Sequence, residues 1–573
     1  MAPQKKKSTG RKRIATTGSA GKRTAAGRRV LARASGRSVS HVVVKGSERP
    51  VVRGAKRVGT VDPRSQIEVT LTLSGLRLPD ADHLPTKSLT PTEFQQQYGV
   101  SSADIDAITK SLAKYGLTVS RVLPATRSIK VTGTADQLQN AFRPQLGIYK
   151  DASGAEFRDR VGTYQVPKEL AKIVTGVIGF GQRRVARRRA AVAKDVAALR
   201  PLGPQDVETL YGFPQGTAAQ QTIAIAEFGG GFFAEDLANY CGRHGRTVPT
   251  VNAIAVDAPA YTLKQILALP DQARKDELDS SVEVMMDVEV IAGLCSNATI
   301  NVYFSTFDQK GWVDILDRII QDRPVAISVS WGLAEDDPDW SQAARNAINE
   351  RLNAAALMGI TVCVASGDDG SGDEETDNRC HVDFPASSPF VLGVGGTMIA
   401  GAPRPANEVV WWEPPGRRTP HGGGATGGGV SALFPRPSWQ KVNIPSQNKG
   451  SIVGRVVPDV AAVAGDPLYD LVIMGRDAPN GGTSAAAPVW AALIARINAN
   501  LQGNKQQRFL APLLYGSVAG KPLGAQGCTD ITSGNNVSHP QPGIGYSAGN
   551  GFDAVSGWGT PRGTNLVGLL PQI

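Results

Sequence analysis

The sequence predicts an α/β protein in which a large, mostly parallel sheet carries helices on both faces and follows a small ferredoxin-like α+β domain. Three observations support this fold class. From residue 202 onward, short strands made almost wholly of apolar residues alternate with helical stretches, as in parallel sheets buried on both faces. Between residues 45 and 182, shorter strands and helices interleave. A basic segment that begins at Arg183 separates the two regions and has the composition of a linker.

The charge of the chain is concentrated at its beginning. The 573 residues carry a net charge of +11, but residues 1–40 contain twelve Lys and Arg and no Asp or Glu. The rest of the chain is therefore close to neutral, and the folded part is not indicated as a nucleic-acid binder. We predict a disordered tail over residues 1–44. It either contacts an anionic surface such as nucleic acid or only keeps the chain soluble.

The composition argues against several other classes of protein. Hydrophobic residues make up 41% and charged residues 20% of the chain, which is typical of globular proteins. No apolar run reaches the roughly 18 residues of a membrane-spanning helix, and the N-terminus lacks the apolar segment of a secretory signal. The five cysteines are widely spaced without a C-x-x-C motif. Neither a zinc site nor a dense disulfide framework is indicated, although one or two disulfides remain possible.

The small domain is predicted over residues 45–182. Thr90 followed by Pro91 indicates a helix start, because Thr accepts hydrogen bonds from helix N–H groups and Pro suits the first turn. Gly116 indicates the end of a second helix. The remaining predictions are a strand at 66–76, the second helix at 104–115, a hairpin of 118–123 with 128–132, a helix at 135–142 and a strand at 146–149.

The large domain is predicted over residues 202–573, after a linker at 183–201 that we expect to be exposed and open to proteolysis. Glu227, Trp331 and Asp368 lie at or just beyond the carboxyl ends of three predicted strands. Parallel sheets gather their functional groups at such ends. The predicted strands are 222–228, 300–303, 325–330, 360–365 and 390–394.

Ser484 lies in the stretch GGTSAAAP, residues 481–488, which precedes an apolar run with helical spacing. A hydroxyl at this position lies where a loop becomes a helix, and the helix N-terminus offers N–H groups to an oxyanion. Two interpretations are open. Ser484 is either a nucleophile or an ordinary N-cap residue.

Two carboxylates are candidates for the base that a serine nucleophile needs. None of the six histidines has a subtilisin-like sequence context. Glu283 and Asp287 are four residues apart on a predicted helix over 281–292 and share one face of it. If they are buried they can share a proton, which raises one pKa and suits acid–base catalysis. The alternative is a solvated acidic stripe that continues from Asp279.

From about residue 45 to its end, the chain resembles the sedolisins, or serine-carboxyl peptidases, and among them the kumamolisin-like branch. The resemblance implies a subtilisin-like catalytic domain preceded by an activation prodomain over residues 45–182. The motifs that carry it occur in the family's order. They are LTPTEF at 89–94, YGL at 115–117, PQDV at 204–207, YGFP at 211–214, AEFGGG at 226–231, the Glu283-x-x-x-Asp287 pair, SGD at 366–368 and GTSAAAP at 482–488.

The resemblance also implies a role for each matched residue. Ser484 is expected to be the nucleophile, Glu283 its general base, and Asp287 a carboxyl bonded to Glu283 behind it. Asp368 is expected to donate a hydrogen bond to the oxyanion, which requires a protonated carboxyl and therefore favours acid. Two further residues match positions that extend the hydrogen-bond chain in kumamolisin-like members: Glu227 and Trp331.

The C-terminal region holds a candidate site for one Ca²⁺ ion. Two Gly-rich loops, residues 529–536 and 548–553, carry carboxylates, and oxygen ligands of this kind suit Ca²⁺. Taken alone, the loops are better explained as a pair of Asx turns. The resemblance implies ligation by the carboxylates of Asp530 and Asp553 and by backbone carbonyls of Ile531, Gly549 and Gly551.

The resulting prediction is an acid-acting serine-type endopeptidase made as a zymogen, with its own prodomain as inhibitor and with protein or peptide substrates. The resemblance implies an extracellular enzyme, although no signal peptide is visible. One alternative is a catalytically silent homologue that binds partners through its basic tail. A second is a histidine-dependent hydrolase, which would be active at neutral pH without Glu283.

Overall fold

The structure is a computed structural model that describes residues 40–152, 154–188, 200–400, 407–450 and 452–572. The predicted tail, apart from its last residues, and the greater part of the predicted linker lie outside the described residues. Residues 41–573 form one compact unit, so the two predicted domains lie against each other.

The described residues of the N-terminal domain form nine strands and three α-helices. The strands are His41–Val43 (β1), Lys56–Gly59 (β2), Gln66–Leu73 (β3), Thr118–Leu123 (β4), Ser128–Thr134 (β5), Gln145–Lys150 (β6), Glu156–Val161 (β7), Gln165–Pro167 (β8) and Val174–Ile178 (β9). The helices are Pro91–Tyr98 (α1), Ser102–Ala113 (α2) and Ala135–Phe142 (α3).

The main sheet of this domain is antiparallel, with strand order β4-β5-β3-β9. Along the chain the elements follow as β3, α1 with α2, β4, β5, α3 and β9, which confirms the predicted ferredoxin-like arrangement. Helix α1 begins as predicted. The Thr90 hydroxyl accepts from the Glu93 N–H at 3.2 Å, while the Glu93 carboxylate accepts from the Thr90 N–H at 2.7 Å. The side chains of Val69, Leu71 and Phe142 are fully buried in the hydrophobic core of the N-terminal domain.

The C-terminal domain contains the remaining elements, after the two-residue strand Arg187–Arg188 (β10). Its strands are Thr222–Phe228 (β11), Thr250–Ala255 (β12), Thr299–Ser305 (β13), Ala326–Val329 (β14), Trp331–Ala334 (β15), Thr361–Ala365 (β16), Asp383–Phe384 (β17), Leu392–Ile399 (β18), Glu408–Val410 (β19), Trp412–Glu413 (β20), Gly424–Ala425 (β21), Gly429–Pro435 (β22), Gly454–Val457 (β23), Val460–Val463 (β24), Val472–Ile473 (β25), Arg476–Asp477 (β26), Ser517–Val518 (β27), Lys521–Pro522 (β28), Cys528–Thr529 (β29) and Thr560–Pro561 (β30). Its helices are Pro204–Tyr211 (α4), Ala234–Arg243 (α5), Leu263–Leu267 (α6), Asp271–Leu294 (α7), Gln309–Asp322 (α8), Gln342–Leu357 (α9), Thr483–Asn500 (α10), Leu510–Tyr515 (α11), Leu523–Gly527 (α12) and Gly563–Leu569 (α13).

The large sheet runs in the order β12-β13-β11-β14-β16-β18-β19, with β24 also paired to β18. Every pairing in it is parallel except that of β18 with β19. Helices α7 and α10 pack against each other, and so do α8 and α9. The predicted mostly parallel sheet with helices on both faces is confirmed. It brings the carboxyl ends of β11, β14 and β16 together at one edge.

Strand β18 differs most from its prediction, because it continues to Ile399 through two glycines that resemble a turn in the sequence. A Cβ on Gly395 would lie 2.7 Å from the Pro458 ring, and one on Gly396 would lie 2.7 Å from the Ala464 side chain. These glycines allow close packing inside a strand.

The N-terminal domain packs on the large domain through β3, β9 and α1. Phe94 of α1 is 1% exposed and belongs to the large domain's hydrophobic core. The Leu89 N–H donates to the Leu357 carbonyl at 2.9 Å, at the end of α9.

Three of the first four residues of the predicted exposed linker are buried, which corrects that prediction for residues 183, 185 and 186, whereas Arg184 is exposed. Arg183, Val185 and Ala186 are at most 3% exposed. The Val185 N–H donates to the Phe307 carbonyl at 2.8 Å, and the Trp312 indole N–H donates to the Val185 carbonyl at 3.1 Å. A basic composition indicated a solvated segment, but the large domain supplies partners for its backbone and room for its apolar side chains. The exposure and cleavage of residues 189–199 stay predictions.

Candidate active site

Ser484 is the second residue of helix α10. The N-cap position belongs to Gly482, whose φ of +100° is one that residues with a side chain rarely adopt. The Gly482 N–H donates to the Ala464 carbonyl at 2.7 Å, which anchors the turn just beyond β24. Ser484 is fully buried, and its Oγ lies 3.4 Å from the Ser330 carbonyl. The interpretation of Ser484 as an N-cap is therefore wrong.

Glu283 and Asp287 lie one turn apart on α7, and both are fully buried. Asp279, one turn earlier, is exposed. The acidic face is therefore solvated only as far as Asp279, and the stripe interpretation is wrong for Glu283 and Asp287. Buried carboxyls must be hydrogen-bonded, paired or protonated, because an isolated buried charge is costly.

The carboxyl of Asp287 is bound by Ser330. Its two oxygens lie 2.9 and 2.7 Å from the Ser330 Oγ, which also lies 3.2 Å from the Ser484 carbonyl. Ser330 is thus a partner of both Asp287 oxygens, and the bond between Asp287 and Glu283 that the resemblance implied stays a prediction. Burial raises the pKa of Asp287 well above its usual value, and the charges of Glu227 and Glu283 raise it further. Ser330 thus connects α7 to α10.

Glu227 and Trp331 are in direct contact. Glu227 is the next-to-last residue of β11 and is fully buried, and its Oε2 accepts from the Trp331 indole N–H at 2.9 Å. Burial and then the charge of Glu283 raise the pKa of Glu227 well above its usual value. Glu227, Glu283 and Asp287 are therefore close enough for each charge to oppose the ionisation of the others, and the group holds protons that isolated carboxyls would release.

Asp368 lies beside the first residue of α10. Its Oδ1 accepts from the Thr483 N–H at 2.9 Å and from the Thr483 hydroxyl at 2.7 Å. Among the described residues its Oδ2 is buried without a hydrogen-bond partner. Burial raises the pKa of Asp368 to about 6, against the opposing effects of Arg418 and Thr483. Asp368 therefore accepts hydrogen bonds through Oδ1, from the residue before Ser484. When protonated, it can donate a hydrogen bond through Oδ2.

Comparison with known proteins shows the family to which this chain belongs. The family model for the pro-kumamolisin activation domain matches residues 53–183, and that for the subtilase family matches residues 272–525. Kumamolisin from Bacillus sp. (strain MN-32) is 38% identical over 499 residues, which cover 84% of this chain and 85% of that protein. This chain belongs to the kumamolisin-like sedolisins. As a sedolisin it is a hydrolase of the serine-carboxyl peptidase class with an activation prodomain.

Other sedolisins are similar over most of their length. Sedolisin from Pseudomonas sp. (strain 101) is 28% identical over 504 residues, covering 83% of this chain and 80% of that protein. Tripeptidyl-peptidase sed5 from Aspergillus fumigatus is 27% identical over 572 residues, covering 92% and 97%. The solved structure of Pseudomonas sedolisin, a serine-carboxyl proteinase complexed with two molecules of pseudo-iodotyrostatin, has a TM-score of 0.53 at 28% identity. It covers 65% of this chain and 98% of its own.

Two residues of the sedolisin site were not singled out by the sequence. Ser330 and Thr483 lie in the motifs SWG and GTSA, beside the predicted Trp331 and Ser484. A serine or threonine is common in any sequence, so neither residue was conspicuous. Each one matters because it hydrogen-bonds a carboxyl from a distant segment, Ser330 to Asp287 and Thr483 to Asp368. No described histidine hydrogen-bonds to Ser484, which leaves the histidine-dependent alternative without support.

The candidate calcium loops of this sedolisin contact each other. Asp530 Oδ2 accepts from the Gly551 N–H at 2.8 Å, and Asp553 Oδ2 accepts from the Gly549 N–H at 3.1 Å. Asp553 is buried, which raises its pKa to about 6. Two carboxylates thus bond to one loop, and with the carbonyls of Ile531, Gly549 and Gly551 they would form an all-oxygen ligand set. This donor set fits a hard cation such as Ca²⁺.

A second acidic cluster lies between the prodomain and the catalytic domain. Asp257 and Asp314 face the ammonium groups of Lys130 and Lys310, with Asp314 Oδ2 2.8 and 2.6 Å from them. The Thr70 hydroxyl donates to Asp314 Oδ1 at 2.8 Å. Lys130 and Thr70 belong to the prodomain. The two ammonium groups occupy the place of a cation, so this cluster is an ion-pair network that joins the domains.

The remaining sequence-based expectations concern disulfides and membranes. All five cysteines are buried and none forms a disulfide. Within the described ranges, the structure contains no helix with the length and apolar character needed to span a bilayer.

Proposed function

We propose that this sedolisin is an acid-acting endopeptidase in which Ser484 is the nucleophile, Glu283 the general base and Asp287 the carboxyl behind it. The observation that carries the proposal is the burial of a serine hydroxyl and several carboxyls around one helix start, connected through Ser330. These side chains are buried, so they are not a solvated polar surface. A serine nucleophile with a carboxylate as its base can act at low pH.

The reaction proceeds through an acyl-enzyme. Ser484 Oγ attacks the substrate carbonyl carbon while its proton passes to the Glu283 carboxylate. The oxyanion accepts hydrogen bonds from the Ser484 N–H and from the protonated Asp368. The C–N bond then breaks and Glu283 returns the proton to the leaving amine. Glu283 then takes a proton from water, whose oxygen attacks the acyl carbon, and returns that proton to Ser484 Oγ as the ester bond breaks.

The remaining polar groups hold the base in place. Asp287, bonded to Ser330, lies one turn behind Glu283 on the same face. Glu227, bonded to Trp331, adds a third carboxyl whose charge affects Glu283. We assign both as positioning residues, which keep a proton available beside the base.

The pH dependence follows from Asp368. The pKa of about 6 means that its carboxyl is protonated below pH 6 and ionised above it. The hydrogen bond to the oxyanion is therefore present in acid and lost as the pH rises through 6.

The prodomain is proposed to act as an intramolecular inhibitor that acid releases. Burial would raise the pKa of Asp314, but Lys310 and Lys130 outweigh it and hold the pKa below its usual value. Docking that depends on this ionised carboxyl is present above the ordinary carboxyl pKa of about 4 and is lost as the pH falls below it. Burial raises the pKa of Asp257 to about 7, so the docked state favours its protonated form. The contribution of Asp257 to docking therefore changes with pH in the opposite direction. We therefore expect Asp314 to contribute to prodomain release only below about pH 4.

Three further parts of the proposal extend the zymogen assignment. Cleavage falls between Arg183 and Leu202, carried out by the enzyme itself. One Ca²⁺ ion is held by Asp530, Asp553 and the carbonyls of Ile531, Gly549 and Gly551, where it supplies charge that fixes the C-terminal loops. The enzyme is secreted.

The decisive experiment is a pH profile of peptide cleavage for the acid-incubated wild type and three variants. We expect an acid optimum, loss of cleavage in Ser484→Ala and Glu283→Ala, and a loss of about 10²–10³-fold in kcat for Asp368→Ala. Glu235→Ala on the surface of α5 is the matched control and should keep wild-type activity. Neutral-pH activity that survives Glu283→Ala would refute the proposal.

A further inference from the structure

The described end of the linker segment adds a short β-strand to the catalytic domain. Arg187 and Arg188 pair antiparallel with Gly332 and Trp331 of β15. Trp331 is the residue that bonds Glu227. The segment therefore covers the edge of β15 beside the buried carboxyls, and an extended peptide that replaced the segment could pair with the same edge.

The side chain of Arg187 lies beside acidic residues of the catalytic domain. Arg187 forms an ion pair with Glu374, and Asp337 lies within electrostatic reach of it. Arg418 also contacts Glu374, at 3.1 Å, but it pairs more closely with Asp369, at 2.6 Å. Arg418 is thus shared by two carboxylates, and Glu374 is the one that also pairs with Arg187 of the segment.

A second cation site lies three residues earlier on the segment. The Arg184 guanidinium lies 3.6 Å from the centroid of the Phe307 ring, and Phe307 packs edge-on against Trp331. A planar guanidinium over an aromatic face is a favourable cation–π contact. The charge of Arg184 also interacts with three acidic residues of α7: Asp276, Glu277 and Asp279.

The two cation sites border the same open groove. Its cavity has a volume of about 510 Å³ and is lined by Asp279, Ser280, Trp331 and Glu374 among others. A peptide that replaces the linker segment would find the same strand edge, the same aromatic face and the same carboxylates.

We propose that this groove selects cationic peptides, with an Arg or Lys side chain opposite Glu374 and a second basic side chain, preferably Arg, three residues earlier over Phe307. Glu374 is a specificity-determining residue and takes no part in bond breaking. This inference rests on the proposed peptidase function and concerns which peptides that site accepts.

The test is a competition between two peptides that differ in one charge. One has the sequence of residues 183–202, and the other replaces the residue that corresponds to Arg187 by citrulline, its neutral isostere. At pH 5, where ordinary carboxylates are mostly ionised, the acid-incubated wild type should favour the arginine peptide about fivefold in kcat/KM, as a half-exposed ion pair allows. In Glu374→Gln the ratio should fall to about one. Glu235→Gln is the control and should keep the wild-type ratio.

A second measurement separates this inference from the peptidase assignment. In the full-length Ser484→Ala protein, which cannot cleave itself under the proposed mechanism, trypsin should nick the chain after Arg187 about fivefold faster when Glu374→Gln is added. Glu235→Gln should not change the rate. Failure of the wild type to cleave either peptide contradicts the proposed function, and the nicking rates then decide the inference. Equal peptide ratios in wild type and Glu374→Gln, or equal nicking rates, overturn it.

Discussion

Asp368 has one oxygen with two hydrogen bonds to Thr483 and one oxygen with no hydrogen-bond partner among the described residues. Burial, rather than a neighbouring charge, is the main reason for its raised pKa. The residue can therefore be converted from a pH-dependent donor into a permanent one without changing its shape.

We predict that Asp368→Asn loses the alkaline limb of the pH profile near pH 6. The amide N–H₂ donates at every pH, while its oxygen can still accept from Thr483. Activity at the acid optimum should fall by less than about tenfold, against 10²–10³-fold for Asp368→Ala. The measurement is kcat against pH between 3 and 8. An unchanged limb near pH 6 would show that another group sets it.

At the scale of single elements, helix α10 and the C-terminal loops hold the site together. Helix α10 starts at a glycine with positive φ, directly before Thr483 and Ser484. Asp530 joins the first loop to Gly551 of the second, and Asp553 closes the second loop on its own Gly549. Each element can be perturbed without touching a residue assigned to catalysis.

Gly482→Ala should destabilise the protein by about 1–3 kcal/mol, because an alanine at φ near +100° is strained. The strain also displaces Ser484, so kcat should fall with it. Gly242→Ala is the matched control, since an added Cβ there meets nothing within 4 Å and Gly242 lies within α5. That control should be neutral or slightly stabilising. Urea unfolding measures both, and equal stabilities would contradict the assigned strain.

Removal of calcium should lower the melting temperature. A bound ion stabilises the folded state in proportion to the logarithm of its concentration over Kd. EDTA should therefore lower Tm at pH 7, added Ca²⁺ should restore it, and Mg²⁺ should not. Because the pKa of Asp553 is about 6, protons compete with the ion below that pH and the Ca²⁺-dependent shift should be smaller at pH 4. If Asp553→Asn retains the full shift, the ion binds elsewhere.

At the scale of the whole molecule, the prodomain and the catalytic domain share one charge network and one hydrophobic surface. Phe94 belongs to the catalytic core, and Lys130 reaches across to Asp314. The apolar part of this contact does not depend on pH, whereas the ionic part does.

Asp314→Asn should weaken prodomain docking by about 2 kcal/mol at neutral pH, the size of a hydrogen bond to a charged group. The further loss of docking below about pH 4 should be smaller than in the parent protein. We suggest measuring tryptic sensitivity of the prodomain in the full-length Ser484→Ala protein between pH 3 and 7. Asp271→Asn, whose side chain is 95% exposed, is the control. A variant that releases its prodomain with the parent's pH dependence would exclude Asp314 as the switch.

The sequence by itself determined the elements whose signals are local. The Thr90–Pro91 helix start, strand β11 and the shared face of Glu283 and Asp287 depend on neighbours within a few residues. The position of Ser484 at a loop-to-helix junction does so as well. Periodicity and capping are short-range effects, so they can be predicted without the fold.

Only the tertiary structure decided whether those residues are buried and what they contact. Asp279 and Glu283 are neighbours on one helix, yet the first is exposed and the second is enclosed by distant segments. Ser330 and the buried start of the linker were missed for the same reason. A pKa, a hydrogen-bond partner and a solvent-accessible edge are properties of the surroundings, and packing brings those surroundings from parts of the chain far apart in sequence.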